Sequence, residues 1–495
     1  MTDSDKNLFS RLAVFQGEFD LQAAQAILDA DLPQLNRLID RSLLKHDQAG
    51  GFFMHALAHQ FAAEKLMQHK QLFQETSDRF CNHYVDLLLR NKEALLGANM
   101  MQVRDEIKPF LVNIQTAILL VCSKMPKDDF YQLLSAALAF YTVHSWHEGV
   151  LFLRQIEDTR RKWLTENNAQ NIEMDNLLLT LKLFQAFWLI NLGNIEEGGR
   201  ISAECLPNIQ TQEMTEQLSV CLHNMGVAAS FRGDYDKAMT LLEEAVLLGK
   251  QAGGYYWPTY LFWLGHVYFL KGEYEQGLAT LEKSFDIYKQ SNTLWGCAFA
   301  VSKMGLAEDS LGHHVKALHY QQEGLQTFEQ LGYSSGMAYC LSRMSISAFF
   351  LGQYKESIDF AQQGYDISVS LGHSWGICTS LCRLGFAYLG LQQTLPAQEK
   401  FTESILLSIK VKMIPLTLYA LLGLACIFII EGQDQIGQAL YNYARQHPKT
   451  PQAFLQQANF WIKDSMISYL NPFEEDTSLD DIVELALSHI TTVNP

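Results

Sequence analysis

Lys303, Arg343 and Arg383 follow one another at intervals of forty residues. The chain around them is acidic: its 495 residues carry 37 Lys plus Arg against 54 Asp plus Glu, a net charge of −17. Three aligned cations in such a chain point to an anionic ligand, either an acidic peptide segment or a small phosphorylated metabolite. Arg forks onto a carboxylate or phosphate with two hydrogen bonds, and Lys supplies a mobile point charge. The matching positions of the two preceding intervals hold Asn224 and Trp263. Nearby stand His223, Phe262, His266, Tyr339, Phe349 and Phe386, which would wall a few convergent polar groups with apolar rings, the usual make-up of a recognition site. The expected ligand-binding or peptide-binding set is His223, Asn224, Trp263, His266, Lys303, Tyr339, Arg343, Arg383 and Phe386. With helices packed side by side, the ladder would run roughly 20 Å along a solvated groove. The competing expectation is that each cation pairs with a local acid such as Glu308 or Asp309.

No motif argues for catalysis. The sequence contains no G-x-S-x-G, and no Cys or Ser comes with a recognisable partner motif, so the chain is read as non-enzymatic. His55 and His59 sit one helical turn apart but lack the Glu of H-E-x-x-H, so no metal is expected. The nine cysteines are scattered without a C-x-x-C pair, which fits buried thiols in a reducing cytoplasm better than a disulfide framework. The acidic start Met1-Thr2-Asp3-Ser4-Asp5 has no apolar stretch of a secretion signal. Ile414–Ile430 lacks charge over 17 residues, yet it carries Pro415 and Gly423 and reads as a buried helix rather than a membrane span. The net negative charge disfavours nucleic acid as a partner.

The elements that must position the ladder come from an internal repeat. Small residues recur at Ala186, Gly226, Gly265, Gly305, Ser345, Gly385 and Ala425, spaced 40, 39, 40, 40, 40 and 40 residues. Seven residues later stands a Gly, at 193, 233, 272, 312, 352 and 432, with Gln392 in the sixth unit. Two further small columns keep the same register: Gly198, Ala238, Gly277, Ala317, Ser357, Ala397 and Gly437, then Cys205, Ala245, Ser284, Gly324, Gly364, Ser404 and Ala444. A glycine inside a helix costs about 1 kcal/mol relative to Ala, so its recurrence implies two backbones in close approach. The intervening Gly suits a left-handed helix cap. Each unit is therefore helix, tight turn, helix, and buries its apolar face only against its neighbours.

These columns resemble the tetratricopeptide repeat, with a period of 40 rather than the usual 34 and correspondingly longer helices. Seven units cover residues 179–450, and a degenerate unit precedes them at Tyr131–Lys162, with Ser145-Trp146-His147-Glu148-Gly149 as its turn. The N-terminal segment reads as short helices and a hairpin. Asp20 caps Leu21–Leu28, Asp31 and Pro33 open Leu32–Arg41, and strands at Leu43–Lys45 and Phe52–Met54 flank a turn before a helix from His55 to about His69.

Leu12-Ala13-Val14-Phe15-Gln16-Gly17-Glu18-Phe19, Leu38-Ile39-Asp40-Arg41-Ser42-Leu43-Leu44 and Phe61-Ala62-Ala63-Glu64-Lys65-Leu66 resemble the winged helix of STAND signal-transduction NTPases. Ile107–Ala117, with Asn113, resembles the connecting helix of that family, and Ser478–Leu487 its C-terminal helix. The family places a P-loop domain before the winged helix and tetratricopeptide repeats after it as a sensor. No G-x-x-x-x-G-K-[ST] occurs in this chain, so the resemblance implies the C-terminal part of such a regulator, with no cofactor of its own; ATP or ADP would enter only through a P-loop domain elsewhere. Met54-His55-Ala56 aligns with the family's Met-His-Asp, whose His contacts nucleotide; Ala56 departs from it, and His55 is a cofactor contact only alongside such a domain.

The expected fold is mostly all-α: a right-handed tetratricopeptide superhelix with an N-terminal winged-helix domain carrying a small β-hairpin. The expected organisation is a winged helix at 1–72, connecting helices at 73–128, about eight repeats at 129–470, and an acidic tail and helix at 471–495. The expected role is a ligand-sensing and protein-interaction arm of a STAND-type regulator. Its partners would be a protein or peptide or a small anionic effector, together with a STAND nucleotide-binding domain. The alternatives are a free-standing repeat adaptor and a winged-helix DNA-binding factor; Arg37 and Arg41 against Asp31 and Asp40 make a poor DNA-reading helix.

Overall fold

The computed structural model describes residues 2–47, 50–97, 99–122, 125, 127–167, 175–253, 257–462 and 477–493. Two compact units divide the chain, Met1–Leu181 and Lys182–Pro495. Apart from one two-stranded ribbon the described residues are helical, as the repeat pattern requires.

In the first unit, helices Asp3–Arg11, Leu21–Leu28 and Leu32–Ile39 precede antiparallel strands Lys45–His46 and Phe52–Phe53 and the helix Ala56–Met67. Asp20 and Asp31 cap their helices by accepting from Ala23 and Gln34 N–H. The third helix ends at Ile39 rather than Arg41, where Ser42 turns left-handed with φ 59°. Phe19 adds a bridge to the ribbon through reciprocal backbone bonds with Phe52 of 3.0 and 2.7 Å. Longer helices follow at Lys70–Arg90, Leu111–Val121, Lys127–His144 and Trp146–Glu166. The last two meet at Ser145, whose hydroxyl caps the second by accepting from Glu148 N–H.

Asn113 holds this unit together from a fully buried position. Its Oδ1 accepts from the backbone N–H groups of Gln16 (2.8 Å) and Gly17 (3.1 Å). Its Nδ2 donates to the carbonyl of Glu18 (2.7 Å) and the Tyr84 hydroxyl (3.1 Å). One side chain thus satisfies a loop that has no ladder of its own.

The second unit is a superhelix of helix pairs. The A helices are Asn176–Asn191, Thr215–Phe231, Trp257–Lys271, Leu294–Ser310, Ser334–Phe350, Ser374–Gly390 and Ile414–Ile430, for repeats one to seven. The B helices are Ile195–Thr211, Tyr235–Ala252, Tyr274–Gln290, His314–Gln330, Tyr354–Ser370, Thr394–Lys410 and Asp434–Gln446. From repeat four to repeat six each helix has 17 residues, and three-residue turns between them complete the forty-residue period. The small columns are where A and B helices touch: a Cβ on Gly305 would lie 3.0 Å from the Ala317 carbonyl oxygen, and one on Gly277 would lie 3.1 Å from that of Gly265. Helix A of repeat seven is buried from Pro415 to Phe428, and among the described residues no helix is long and apolar enough to cross a membrane.

Gln392 takes the left-handed turn conformation that glycine holds in the other repeats, with φ 60° against 75° at Gly352 and 80° at Gly432. A side chain there costs about 1 kcal/mol relative to Gly. Gln392→Gly is therefore expected to stabilise the chain by up to about 1 kcal/mol, read as a higher midpoint in urea. An unchanged or lower midpoint would show that the Gln side chain compensates its own strain.

Beyond the last repeat, helix Gln452–Trp461 packs on helices A of repeats three and seven. Gln456 Nε2 donates to the Ser310 carbonyl (3.0 Å), Phe460 meets Phe349 at 5.5 Å, and Phe454 stacks on Tyr419 at 4.2 Å. The segment before it is tied to repeat two, where the Tyr235 hydroxyl donates to the Lys449 carbonyl (3.0 Å). The chain therefore lays its own uncharged helix across the A-helix face of the superhelix.

Candidate functional site

The ladder forms, but inside the protein. Lys303, Arg343 and Arg383 lie on helices A of repeats four, five and six and are 4%, 6% and 2% exposed. The expectation of a solvated groove is corrected by this burial: the superhelix winds tightly enough that Phe231 of repeat two meets Trp375 of repeat six at 4.8 Å.

Burial would be tolerable if acids came with the cations. Among the described residues no carboxylate lies within ion-pair distance of the three. Glu308 and Asp309, the local acids, are engaged elsewhere. Glu308 is held by Lys316 (2.5 Å) and His313 (2.7 Å). Asp309 accepts from the Ser347 hydroxyl (2.6 Å) and sits 3.1 Å from His314. Against the penalty of burial, the bonds from Lys316 and His313 keep the Glu308 carboxyl below its usual range, whereas burial dominates at Asp309 and raises it.

The cations rest on rings instead. Lys303 Nζ lies 5.7 Å from the Phe262 centroid and 5.2 Å from that of Tyr339, and the Arg343 guanidinium lies 5.0 Å from Tyr339. Such contacts contribute about 2 kcal/mol each when desolvated, well short of the cost of a buried charge. Arg383 donates through Nη1 to the Ser342 hydroxyl. The Nε groups of Arg343 and Arg383 and His266 Nδ1 are enclosed without a hydrogen-bond partner, and the Tyr339 hydroxyl has Arg343 beside it. The electrostatics agree with the geometry. Burial, then Arg343 and Arg383, push the Lys303 ammonium well below its ordinary value. Burial, then Arg343, lower the Arg383 guanidinium to about 9. Burial, then Lys303 and Arg343, push His266 well below the usual imidazole range.

The residues chosen from sequence do not all come together. Trp263, His266, Lys303, Tyr339, Arg343 and Arg383 come together, with Trp263 tilted on His266 at 5.6 Å. Phe386 is fully buried between Phe401 and Tyr419, at 5.0 and 5.4 Å, and is a core residue rather than a wall of the ladder. His223 and Asn224 turn toward repeat one: Asn224 Nδ2 donates to the Leu183 carbonyl (2.9 Å), and His223 packs between Phe187 and Tyr260. His55 stands exposed at the start of helix Ala56–Met67, and His59 Nε2 lies 2.9 Å from the Phe15 carbonyl oxygen.

Sequence reasoning missed Tyr419 and Gln457, which close the far end of the ladder. The Tyr419 hydroxyl donates to Gln457 Oε1 and feels the Arg383 charge. Tyr419 follows Arg383 by 36 residues rather than 40, so the repeat register gives no signal for it.

Burial lowers His223 to about 4 from an ordinary 6.5. Between those values the unfolded chain binds the proton and the folded chain does not, so stability falls as pH drops through the window. The expected loss from this group is about 3 kcal/mol by pH 4, seen as a drop in melting temperature that shrinks in His223→Leu. Equal acid sensitivity in the two proteins would contradict it.

The comparisons with known proteins bear on the fold. Residues 218–252 and 258–291 each match a tetratricopeptide repeat model. None of the curated proteins matches the sequence. Among solved structures, the chain is similar to a Rap protein complexed with competence and sporulation factor, at 13% identity and a TM-score of 0.52, covering 77% of this chain and 99% of that one. It is also similar to a STAND protein with a tetratricopeptide repeat sensor from Pyrococcus horikoshii, at 12% identity and a TM-score of 0.42 over 90% of this chain. The chain spans 63% of that protein's length. NprR in complex with its cognate peptide NprX is similar at 12% identity and a TM-score of 0.46, covering 72% of this chain and 98% of that one. The chain carries tetratricopeptide repeats, stacked as a helical superhelix.

Proposed function

We propose that this chain is a non-enzymatic sensing and interaction arm of a STAND-type signalling regulator, working in the cytoplasm, whose superhelix receives an anionic ligand at Lys303, Arg343 and Arg383. Residues 1–72 act as a winged-helix hinge, 73–128 as connecting helices, 129–470 as the repeat sensor and 471–495 as a tail. The observation that carries the reading is the burial of three cations with no carboxylate within ion-pair distance among the described residues. A protein retains such a cluster when a ligand completes it, because unpaired buried charge is costly in the free state. Binding there would favour one packing of the arm over another by differential affinity, and a partner nucleotide-binding domain would read the difference.

A calorimetric panel of acidic peptides and small anions tests the proposal. At least one should bind the wild type and lose tenfold or more in affinity to Arg343→Met. A panel that binds both proteins equally would place the ligand elsewhere and remove the reading.

A further inference from the structure

We propose that the ladder seats a compact, multiply charged oxyanion of the phosphate type, enclosed between helices A of repeats three to six and the helix Gln452–Trp461, and not an extended acidic peptide. The inference rests on the reading of the ladder as an anion site and narrows its ligand.

Three observations carry it. The first is the donor set. Lys303 supplies an ammonium on a ring cage of Phe262 and Tyr339, while Arg343 Nε and Arg383 Nε are enclosed and unpartnered. A tetrahedral oxyanion offers several acceptor oxygens within one small volume, which matches donors converging from three helices; a single carboxylate offers two. The second is charge. Among the described residues these positive charges have no ion-paired acid, although the charge of Asp309, itself held by Ser347 and His314, reaches Arg383; the surplus calls for an anionic ligand whose charge is concentrated rather than strung along a backbone.

The third is access. A peptide bound along the A helices would need the face on which the chain has laid its own segment. Lys449 lies against Tyr235 of repeat two, Gln456 against Ser310 of repeat four, Phe460 against Phe349 of repeat five, and Phe454 and Gln457 against Tyr419 of repeat seven. The described residues of this segment include no Asp or Glu between His447 and Ile462, so it lies on the A-helix face without bringing an acid to it. A small anion would leave these contacts in place. A peptide must displace them.

Thermal melts and hydrogen exchange separate these outcomes. The probes are inorganic phosphate, glycerol 3-phosphate and a tetraglutamate peptide, each compared with chloride at equal ionic strength. Inorganic phosphate or glycerol 3-phosphate at saturation should raise the melting temperature of the full chain by roughly 4 °C or more. The double variant Lys303→Met, Arg343→Met should lose that shift while melting cooperatively. The stronger of the two probes identifies the source as free phosphate or a phosphate monoester. Backbone exchange in Gln452–Trp461 should stay slow or become slower with the bound probe. If tetraglutamate alone shifts the melt and accelerates exchange in that helix, the ladder is an anion site for peptides and the inference falls while the functional reading stands. If no probe shifts the wild type differently from the double variant, both fall.

Discussion

Arg383→Met is expected to raise the stability of the ligand-free protein by about 2 kcal/mol or more. The guanidinium is 2% exposed, donates to the Ser342 hydroxyl, and lies within the field of Arg343, while Asp309, whose charge reaches it, is already engaged by Ser347 and His314. Burial, with Arg343 next, lowers its ionisation to about 9, which corresponds to a charge penalty on the order of 5 kcal/mol before relaxation. Methionine fills a similar volume without charge, and loses the bonds to Ser342 and Tyr419, about 1 kcal/mol each. Denaturant midpoints of the two proteins give the difference directly. A variant destabilised by several kcal/mol would mean that the folded chain already compensates this charge, and the ladder would be a structural network rather than an incomplete site.

Asn113→Ala is expected to act in the opposite direction and in the other unit, with a loss of about 2 kcal/mol. Truncation of the buried Asn113 leaves the N–H groups of Gln16 and Gly17 and the carbonyl of Glu18 without their partner in a half-buried loop that water partly reaches. Each such orphan costs about 1–3 kcal/mol, partly recovered by relaxation. Asn113→Asp keeps an acceptor for the two N–H groups but meets the Glu18 carbonyl with another acceptor, so it should fall between wild type and Ala. A melt of the first unit that moves by less than a degree in Asn113→Ala would show that water replaces the side chain.

How much of this was legible in the sequence depends on periodicity. The repeat helices follow from small residues at fixed intervals, because two backbones can approach closely only where no side chain separates them. The turns follow from the glycines, and even Gln392 keeps the register with its left-handed φ. The N-terminal helices announce themselves through Asp20 and Asp31, whose capping bonds are local. The ladder too is a product of the period: forty residues return a side chain to the same place on the next helix.

What the period leaves out is curvature. Whether successive A helices enclose a wide groove or a filled interior depends on contacts such as Phe231 with Trp375, across four repeats, and no local pattern encodes them. The same limit explains Phe386. One residue past Gly385 in the helix A column, it faces Phe401 of helix B and the core, whereas Arg383, three residues earlier, faces the interior cluster. Helix Gln452–Trp461 lies outside the register altogether, so its place on the A-helix face is visible only in three dimensions.

The central claim is that Lys303, Arg343 and Arg383 await an anion. Selenate is a phosphate-like oxyanion that scatters anomalously, so crystals of the full chain grown or soaked with it test the claim by position. We expect an anomalous peak among Lys303, Arg343 and Tyr339, beneath helix Gln452–Trp461, that is absent from Arg343→Met crystals treated identically. Peaks confined to the protein surface, with Lys303 and Arg343 unchanged on the rings of Phe262 and Tyr339, would contradict it.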